Sequence, residues 1–419
     1  MVREYKDSGI TWIGRIPKDW NTTKLGSLYT QRNEKVSDKD YAPLSVTMQG
    51  ILPQLETAAK TDDGDNRKLV KKGDFAINSR SDRRGSCGIS PYDGSVSLIN
   101  TILKPRGEMN PNFYNWLFHT SPFADEFYKW GHGIVDDLWT TRWQEMKNIS
   151  VVIPSLEEQQ HIADYLDKKC AEIDGLIELQ EQMIAQLTDY KQSVITEAVT
   201  KGLNPNVELV SSGIEWIGAV PNNWRVNKVN RLFGLIGSGT TPNSSDDDAF
   251  VGSINWLQSG DINGGVITNA SKKISNDTLA KYSVLSVYKA PFIIVAMYGA
   301  SVGNISISHI DACVNQACCV LSDSQIDFTY AFYAIKSAQR YLIFRAVGGG
   351  QPNISQYTLR QLWIPEPPLA EQRVIASYLD SKCNEIDTLI ELKQQKIESL
   401  KDYKKSVIFE AVTGKTSIE

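Results

Sequence analysis

EQQHIADYLDKKCAEIDGLIELQEQMIAQLTDYKQSVITEAVT, residues 158–200, returns as EQRVIASYLDSKCNEIDTLIELKQQKIESLKDYKKSVIFEAVT over residues 371–413, with 29 of 43 positions identical. One apolar register runs through the first copy: Leu166, Ile173, Leu187 and Val194 share a seven-residue spacing, and Ile177 and Ile184 fill the alternate positions. The second copy carries Leu379, Ile386, Leu400 and Val407, with Ile390 and Ile397 between them. No proline interrupts either stretch, and Gly202 and Gly414 stand where a C-terminal cap belongs. The spacing predicts two helices of about 45 residues, each roughly 65 Å long. An apolar stripe of that length needs a partner, and the nearest partner of each helix is its own copy, so these twelve residues are expected to form the pairing seam.

Outward from the helices, a shorter repeat appears. Ser8-Gly9-Ile10-Thr11-Trp12-Ile13-Gly14, followed by Pro17 and Trp20, recurs as Ser212-Gly213-Ile214-Glu215-Trp216-Ile217-Gly218, followed by Pro221 and Trp224. The short repeats are offset by 204 residues and the long ones by 213, so the stretch between them is nine residues longer in the second half. Those intervening stretches, 21–150 and 225–363, share little beyond their ends, where Met146, Ile149, Val151 and Pro154 answer Leu359, Leu362, Ile364 and Pro367. The order is therefore short repeat, variable domain, long helix, twice over. Within the variable stretches, Phe75-Ala76-Ile77, Val96-Ser97-Leu98-Ile99, Phe292-Ile293-Ile294-Val295 and Ala317-Cys318-Cys319-Val320-Leu321 are short apolar runs set among Gly, Ser and Asp. They predict strands joined by turns, hence α+β domains with a twisted sheet.

Composition agrees with two globular domains. At 419 residues the chain exceeds what one core usually supports, and 41% hydrophobic with 22% charged residues is ordinary for a folded protein. No apolar run approaches a membrane span and the first residues, Met1-Val-Arg-Glu-Tyr-Lys, are polar, so the expectation is a cytoplasmic chain with no membrane association. Six cysteines follow no disulfide or CxxC spacing, and four scattered histidines complete no metal-ligand pattern; the expectation is reduced, mostly buried thiols and no metal or cofactor. The net charge of −5 argues against nucleic-acid binding when taken as a sum. Its distribution argues otherwise: residues 155–200 hold ten Asp/Glu against three Lys/Arg, whereas residues 225–363 hold eleven Lys/Arg against eight Asp/Glu.

The element order, the segment Ile10-x-Trp12-Ile13-Gly14-x-Ile16-Pro17-x-x-Trp20, and the Pro-x-Leu-x-Glu-Gln starts at Pro154 and Pro367 together resemble the specificity subunit of type I restriction-modification enzymes. The resemblance spans essentially the whole chain. It implies two mixed α/β target-recognition domains separated by two long antiparallel coiled-coil helices, with a pseudo-twofold internal repeat. It also implies that the chain reads a bipartite, asymmetric site on double-stranded DNA. Its helices would set the spacing and dock two adenine-N6 methyltransferase subunits, and nuclease/translocase subunits would join the same assembly. On this reading residues 1–154 hold the first repeat segment and the first recognition domain, and 155–202 the first spacer helix. Residues 203–366 repeat the pattern, 367–414 form the second spacer helix and 415–419 a tail.

Candidate DNA contacts follow from residue chemistry: Arg suits guanine, Asn and Gln suit adenine, and Lys, Ser and Thr suit phosphate. In the first domain these are Lys71 and Lys72, then Asn78, Ser79, Arg80, Arg83 and Arg84, with Arg67 and Lys68 nearby, and Thr141 and Arg142 in a Trp-flanked segment. In the second they are Ser238, Thr240 and Thr241; Tyr298 and Asn304; and Gln351, Asn353, Ser355 and Gln356. The bland alternative for each is a solvated loop or simple turn chemistry, and for the Trp139–Trp143 segment core aromatics at a helix start.

No catalytic constellation is present in the sequence. Asn110-Pro111-Asn112-Phe113 lacks the second proline of an adenine-methyltransferase motif and reads as a turn, and Gly414-Lys415-Thr416 lacks the upstream glycine of a phosphate loop. The expectation is thus a non-catalytic subunit; the competing expectation is a helical adaptor that bridges two proteins without sequence-specific DNA binding.

Overall fold

A computed structural model describes residues 3–54, 64–80, 84–133, 139–243, 247–346, 353–416 and 418. The chain forms two compact units, Met1–Glu181 with Gln394–Glu419, and Gln182–Lys393, and the division passes through both long helices. Those helices are Leu156–Lys201, of 46 residues, and Leu369–Val412, of 44. Each unit therefore holds the beginning of one long helix and the end of the other.

Within each unit the two helix segments run antiparallel. In the first, Ile162, Leu166 and Cys170 share a core with Ala411 and Val412, and Lys404 Nζ lies 2.7 Å from Asp174. In the second, Val194, Ile195, Ala198 and Val199 share a core with Ile375, Ala376, Leu379 and Cys383, and Lys191 lies 2.5 Å from Asp387. The two ion pairs are the same pair seen twice, displaced by 213 residues. Of the expected seam residues, Leu166, Ile173, Val194, Leu379, Ile386, Ile397 and Leu400 are buried, and Ile177, Ile184, Leu187, Ile390 and Val407 are half-buried.

The short repeat closes the helix ends. Glycine is required after each helix because the backbone there is left-handed, φ +76° at Gly202 and +69° at Gly414, and because an aromatic ring lies against it. A Cβ on Gly202 would sit 3.1 Å from the Trp224 ring, and one on Gly414 2.9 Å from that of Trp20. Each tryptophan also binds the start of a long helix: the Trp20 indole N–H donates to Glu158 at 2.7 Å, and that of Trp224 to Glu371 at 3.0 Å.

Both variable domains are built on one four-stranded antiparallel arrangement. In the first the order is Cys87–Ile89, Phe75–Asn78, Asn100–Pro105, Tyr29–Arg32. In the second it is Ile305–Ser308, Phe292–Ala296, Cys318–Ser324, Phe233–Gly237, with Val266–Ile267 added in parallel outside Ile305–Ser308. The chain is thus α+β and internally duplicated even where its residues are not.

A helix follows each sheet and seats it on the spacer. Pro111–Phe118 is N-capped by Asn110 and Phe328–Ser337 by Asp327. The Asn-Pro-Asn-Phe segment read as a turn is therefore a capped helix start. Buried Gln159 accepts from the Asn110 N–H at 2.9 Å and donates to the Pro154 carbonyl at 2.9 Å, and Gln372 does the same with Asp327 at 2.7 Å and Pro367 at 2.7 Å. About two turns further on, Trp116 donates to Asp167 at 2.9 Å and Tyr333 to Asp380 at 2.8 Å. The Pro-x-Leu-x-Glu-Gln signature is explained by these contacts: Glu takes the tryptophan of the short repeat and Gln takes the cap of the domain helix.

Candidate nucleic-acid interface

Two residues beyond the end of strand Phe75–Asn78, Arg80 forms an antiparallel bridge with Thr140, and the Thr141 N–H donates to the Ser79 carbonyl at 2.9 Å. Two residues beyond the end of strand Phe292–Ala296, Tyr298 forms the same bridge with Asn353, and the Ile354 N–H donates to the Met297 carbonyl at 2.9 Å. Thr140 lies three residues before helix Trp143–Met146, and Asn353 three residues before helix Gln356–Arg360. Loops that are far apart in each half of the sequence are thus brought together in one backbone frame, which occurs in both domains. Fully buried Thr141 and Ile354 anchor it from beneath.

The first frame is edged with cations. The Arg80 side chain is half-buried and Arg142 is exposed, and among the described residues neither guanidinium has a hydrogen-bond or ion-pair partner. Arg84 pairs with Asp125 and lies over the Tyr128 ring, 5.6 Å from its centroid. Asn78, Ser79 and Thr141 are buried and serve the frame itself: Asn78 accepts from the Arg80 N–H at 3.0 Å, Ser79 meets Thr101 at 2.9 Å, and the Thr141 hydroxyl donates to the Phe127 carbonyl at 2.9 Å. Tyr128, which the sequence did not single out, donates its hydroxyl to the Arg80 carbonyl at 2.9 Å. Arg83 lies outside the described residues.

Lys71 and Lys72 are exposed but belong to the turn at the far end of strand Phe75–Asn78, whose length of about 13 Å lies between them and the Arg80 end. Arg67 and Lys68 are structural. Arg67 is buried and donates to Ser95 at 2.9 Å, and Lys68 donates to the Asn100 carbonyl at 2.7 Å, its pKa lowered by burial.

The second frame is neutral. Asn353 and Ser355 are exposed, Ser355 caps its helix by accepting from the Thr358 N–H at 3.0 Å, and Gln356 bonds toward Cys319. Asn304 donates to the Ile262 carbonyl at 3.1 Å, so its amide holds the adjoining loop. The 238–241 segment reaches the same end of the sheet: Ser238 donates to the Cys318 carbonyl at 2.8 Å and Thr241 to Gln316 at 2.6 Å, while the Thr240 carbonyl accepts from Trp256 at 3.2 Å. Tyr357, 71% exposed, stands on the helix that follows the frame, and Phe344, 85% exposed, and Arg345 close helix Gln339–Phe344; no periodicity marks them in the sequence. Gln351 lies outside the described residues.

Among the described residues no group of three His, Cys, Asp or Glu is placed to hold a metal, the six cysteines are free and buried, and no helix is long and apolar enough to cross a membrane.

Comparison with known proteins agrees with this arrangement. The family model described as the type I restriction modification DNA specificity domain matches twice, over residues 17–189 and 221–402. The type I restriction enzyme MjaVIII specificity subunit of Methanocaldococcus jannaschii is 25% identical, with 97% of this chain and 95% of that protein aligned. Among solved structures, a chain of a type I R-M system covers 96% of this chain and 99% of its own length with a TM-score of 0.73 at 16% identity. The HsdS subunit from Thermoanaerobacter tengcongensis gives 0.52 at 16% identity, covering 96% and 98%. With a duplicated fold, a loop frame that differs between its copies, and a family match to each half, the chain belongs to the type I restriction-modification DNA specificity family.

Proposed function

We propose that this specificity subunit reads a bipartite, asymmetric site on double-stranded DNA, one half with each recognition domain, and does no chemistry itself. The observation that carries this reading is the loop frame: the same backbone bridge in both domains, edged by Arg80, Arg84 and Arg142 in one and by Tyr298, Asn353, Ser355 and Gln356 in the other. A constant frame with different side chains reads different bases from equivalent positions.

The long helices fix the gap between half-sites and dock two copies of an adenine-N6 methyltransferase subunit, with nuclease/translocase subunits joining the assembly in the cytoplasm. Support comes from the helix faces outside the seam. Leu176, Leu179 and Tyr190 are exposed and recur, exposed and identical, as Leu389, Leu392 and Tyr403. Exposed apolar residues repeated at one offset suit one partner bound twice.

A mobility-shift assay at two salt concentrations, with and without the methyltransferase subunit, tests this. Specific duplex binding that weakens steeply with salt supports the reading. Retention of protein partners with no duplex binding would establish an adaptor instead. Methyl transfer by the purified chain alone would refute the non-catalytic role.

A further inference from the structure

We propose that Arg80 with Thr140, and Tyr298 with Asn353, are matching base-reading positions, and that the first half-site carries a G·C pair where the second carries an A·T pair. The inference rests on the DNA-reading function above and extends it from the existence of two half-sites to the chemistry of each.

Three observations make the positions equivalent. Arg80 and Tyr298 each lie two residues past a strand with the same place in the sheet order, next to Cys87–Ile89 in one domain and Ile305–Ser308 in the other. Each forms an isolated antiparallel bridge to the loop before a short helix, Thr140 being bridged to His132 as well, and the following residue of that loop donates to the residue before the bridge at 2.9 Å in both cases. Thr140 and Asn353 are also 213 residues apart, the offset of the long-helix repeat, although their surroundings share no sequence.

Side-chain chemistry then assigns the bases. The guanidinium of Arg80, without a protein partner among the described residues, presents two parallel N–H donors that match O6 and N7 of guanine. The exposed amide of Asn353 both donates and accepts, which matches N7 and N6 of adenine. Beside it Tyr298 is half-buried with its ring packed against the core, and what remains exposed of that ring suits a thymine methyl. Neither Tyr298 nor Asn353 presents the paired cationic donors that select guanine.

The test is selection of duplexes from a pool with both half-sites randomised, using the full chain with the modification subunits of its own system. Arg80→Ala should flatten a preference of about 5- to 150-fold at one G·C pair in one half-site and leave the other intact. Arg80→Lys, which keeps the charge but not the planar fork and guards against a folding defect, should weaken the same preference less than Arg80→Ala does, with a smaller loss of overall affinity. Asn353→Ala should flatten one A·T pair in the other half-site only. The proposal is overturned if Arg80→Ala flattens an A·T pair, if both variants act on one half-site, or if affinity falls while every base preference persists. If the unaltered chain selects no bipartite motif, the DNA-reading function itself fails, a result distinct from a wrong base assignment.

Discussion

Lengthening both long helices should lengthen the gap between the half-sites without changing either half. The place for the change is between the two repeated ion pairs. Asp174 to Lys191 spans 17 residues of the first helix, and Asp387 to Lys404 spans 17 of the second, so equal insertions keep the two spans matched. Leu179 and Leu392 are equivalent, exposed positions inside those spans. Four residues inserted after each add about 6 Å and turn the helix by about 40° beyond a full turn. Seven residues add about 10.5 Å and fall about 20° short of two turns. Against a rise of about 3.4 Å per base pair, and with only the component along the duplex counting, the gap should grow by one to two base pairs for four residues and by two to three for seven. Mapping N6-methyladenine in cells carrying each version reads the gap directly. An unchanged gap with full modification would refute the helices as the ruler. Four residues added to the first helix alone leave spans of unequal length and should lower the melting temperature.

Three further outcomes are expected. Trp224→Phe removes the indole N–H held by Glu371 and should cost about 1.5–3 kcal/mol, seen by calorimetry as a melting temperature lower by several degrees; no change would show the contact to be idle. Burial, with Lys191 nearby, pushes the Lys336 ammonium down to about 8 from 10.5, so between those pH values the unfolded chain holds the proton more tightly than the folded one. The stability of the unaltered chain relative to Lys336→Met should therefore rise by up to about 3 kcal/mol from pH 8 to 10.5, and a flat difference in urea titrations would contradict the assigned burial. Burial also raises the thiols, Cys170 and Cys313 to about 11 and Cys318 and Cys319 to about 12, so iodoacetamide at pH 8 should label none of the six until the chain is unfolded.

The helices were legible because their cause is periodic. Leu166, Ile173 and their counterparts repeat at a spacing only a helix satisfies, and duplication doubled the signal. One seam does not account for the helix ends, where Ile162, Cys170, Ile195 and Val199 are buried against the globular domains, nor for the exposed Leu176 and Leu179. The strands at Phe75 and Phe292 were visible as apolar runs, but their order was not, since main-chain pairing leaves no mark on side-chain identity. The same reason hid the loop frame. Its defining bonds, from Thr141 N–H to the Ser79 carbonyl and from Ile354 N–H to the Met297 carbonyl, use groups that every residue but proline possesses. Polarity does not by itself place a residue at the surface: Asn78, Ser79 and Thr141 are buried and hydrogen-bonded within the frame. Arg67 and Lys68 belong with them, for charge density in a sequence does not separate a buried guanidinium from a free one.

The central claim, that each variable domain of this specificity subunit reads its own half of a bipartite site, is tested most directly by domain exchange. Residues 225–363 would be replaced by the corresponding segment of another family member, and N6-methyladenine would be mapped in cells carrying the original and the exchanged chain. One half-site should stay unchanged, the other should be replaced by a half-site of the donor, and the gap should be preserved. Both halves changing together, or neither changing while modification continues, would contradict the claim.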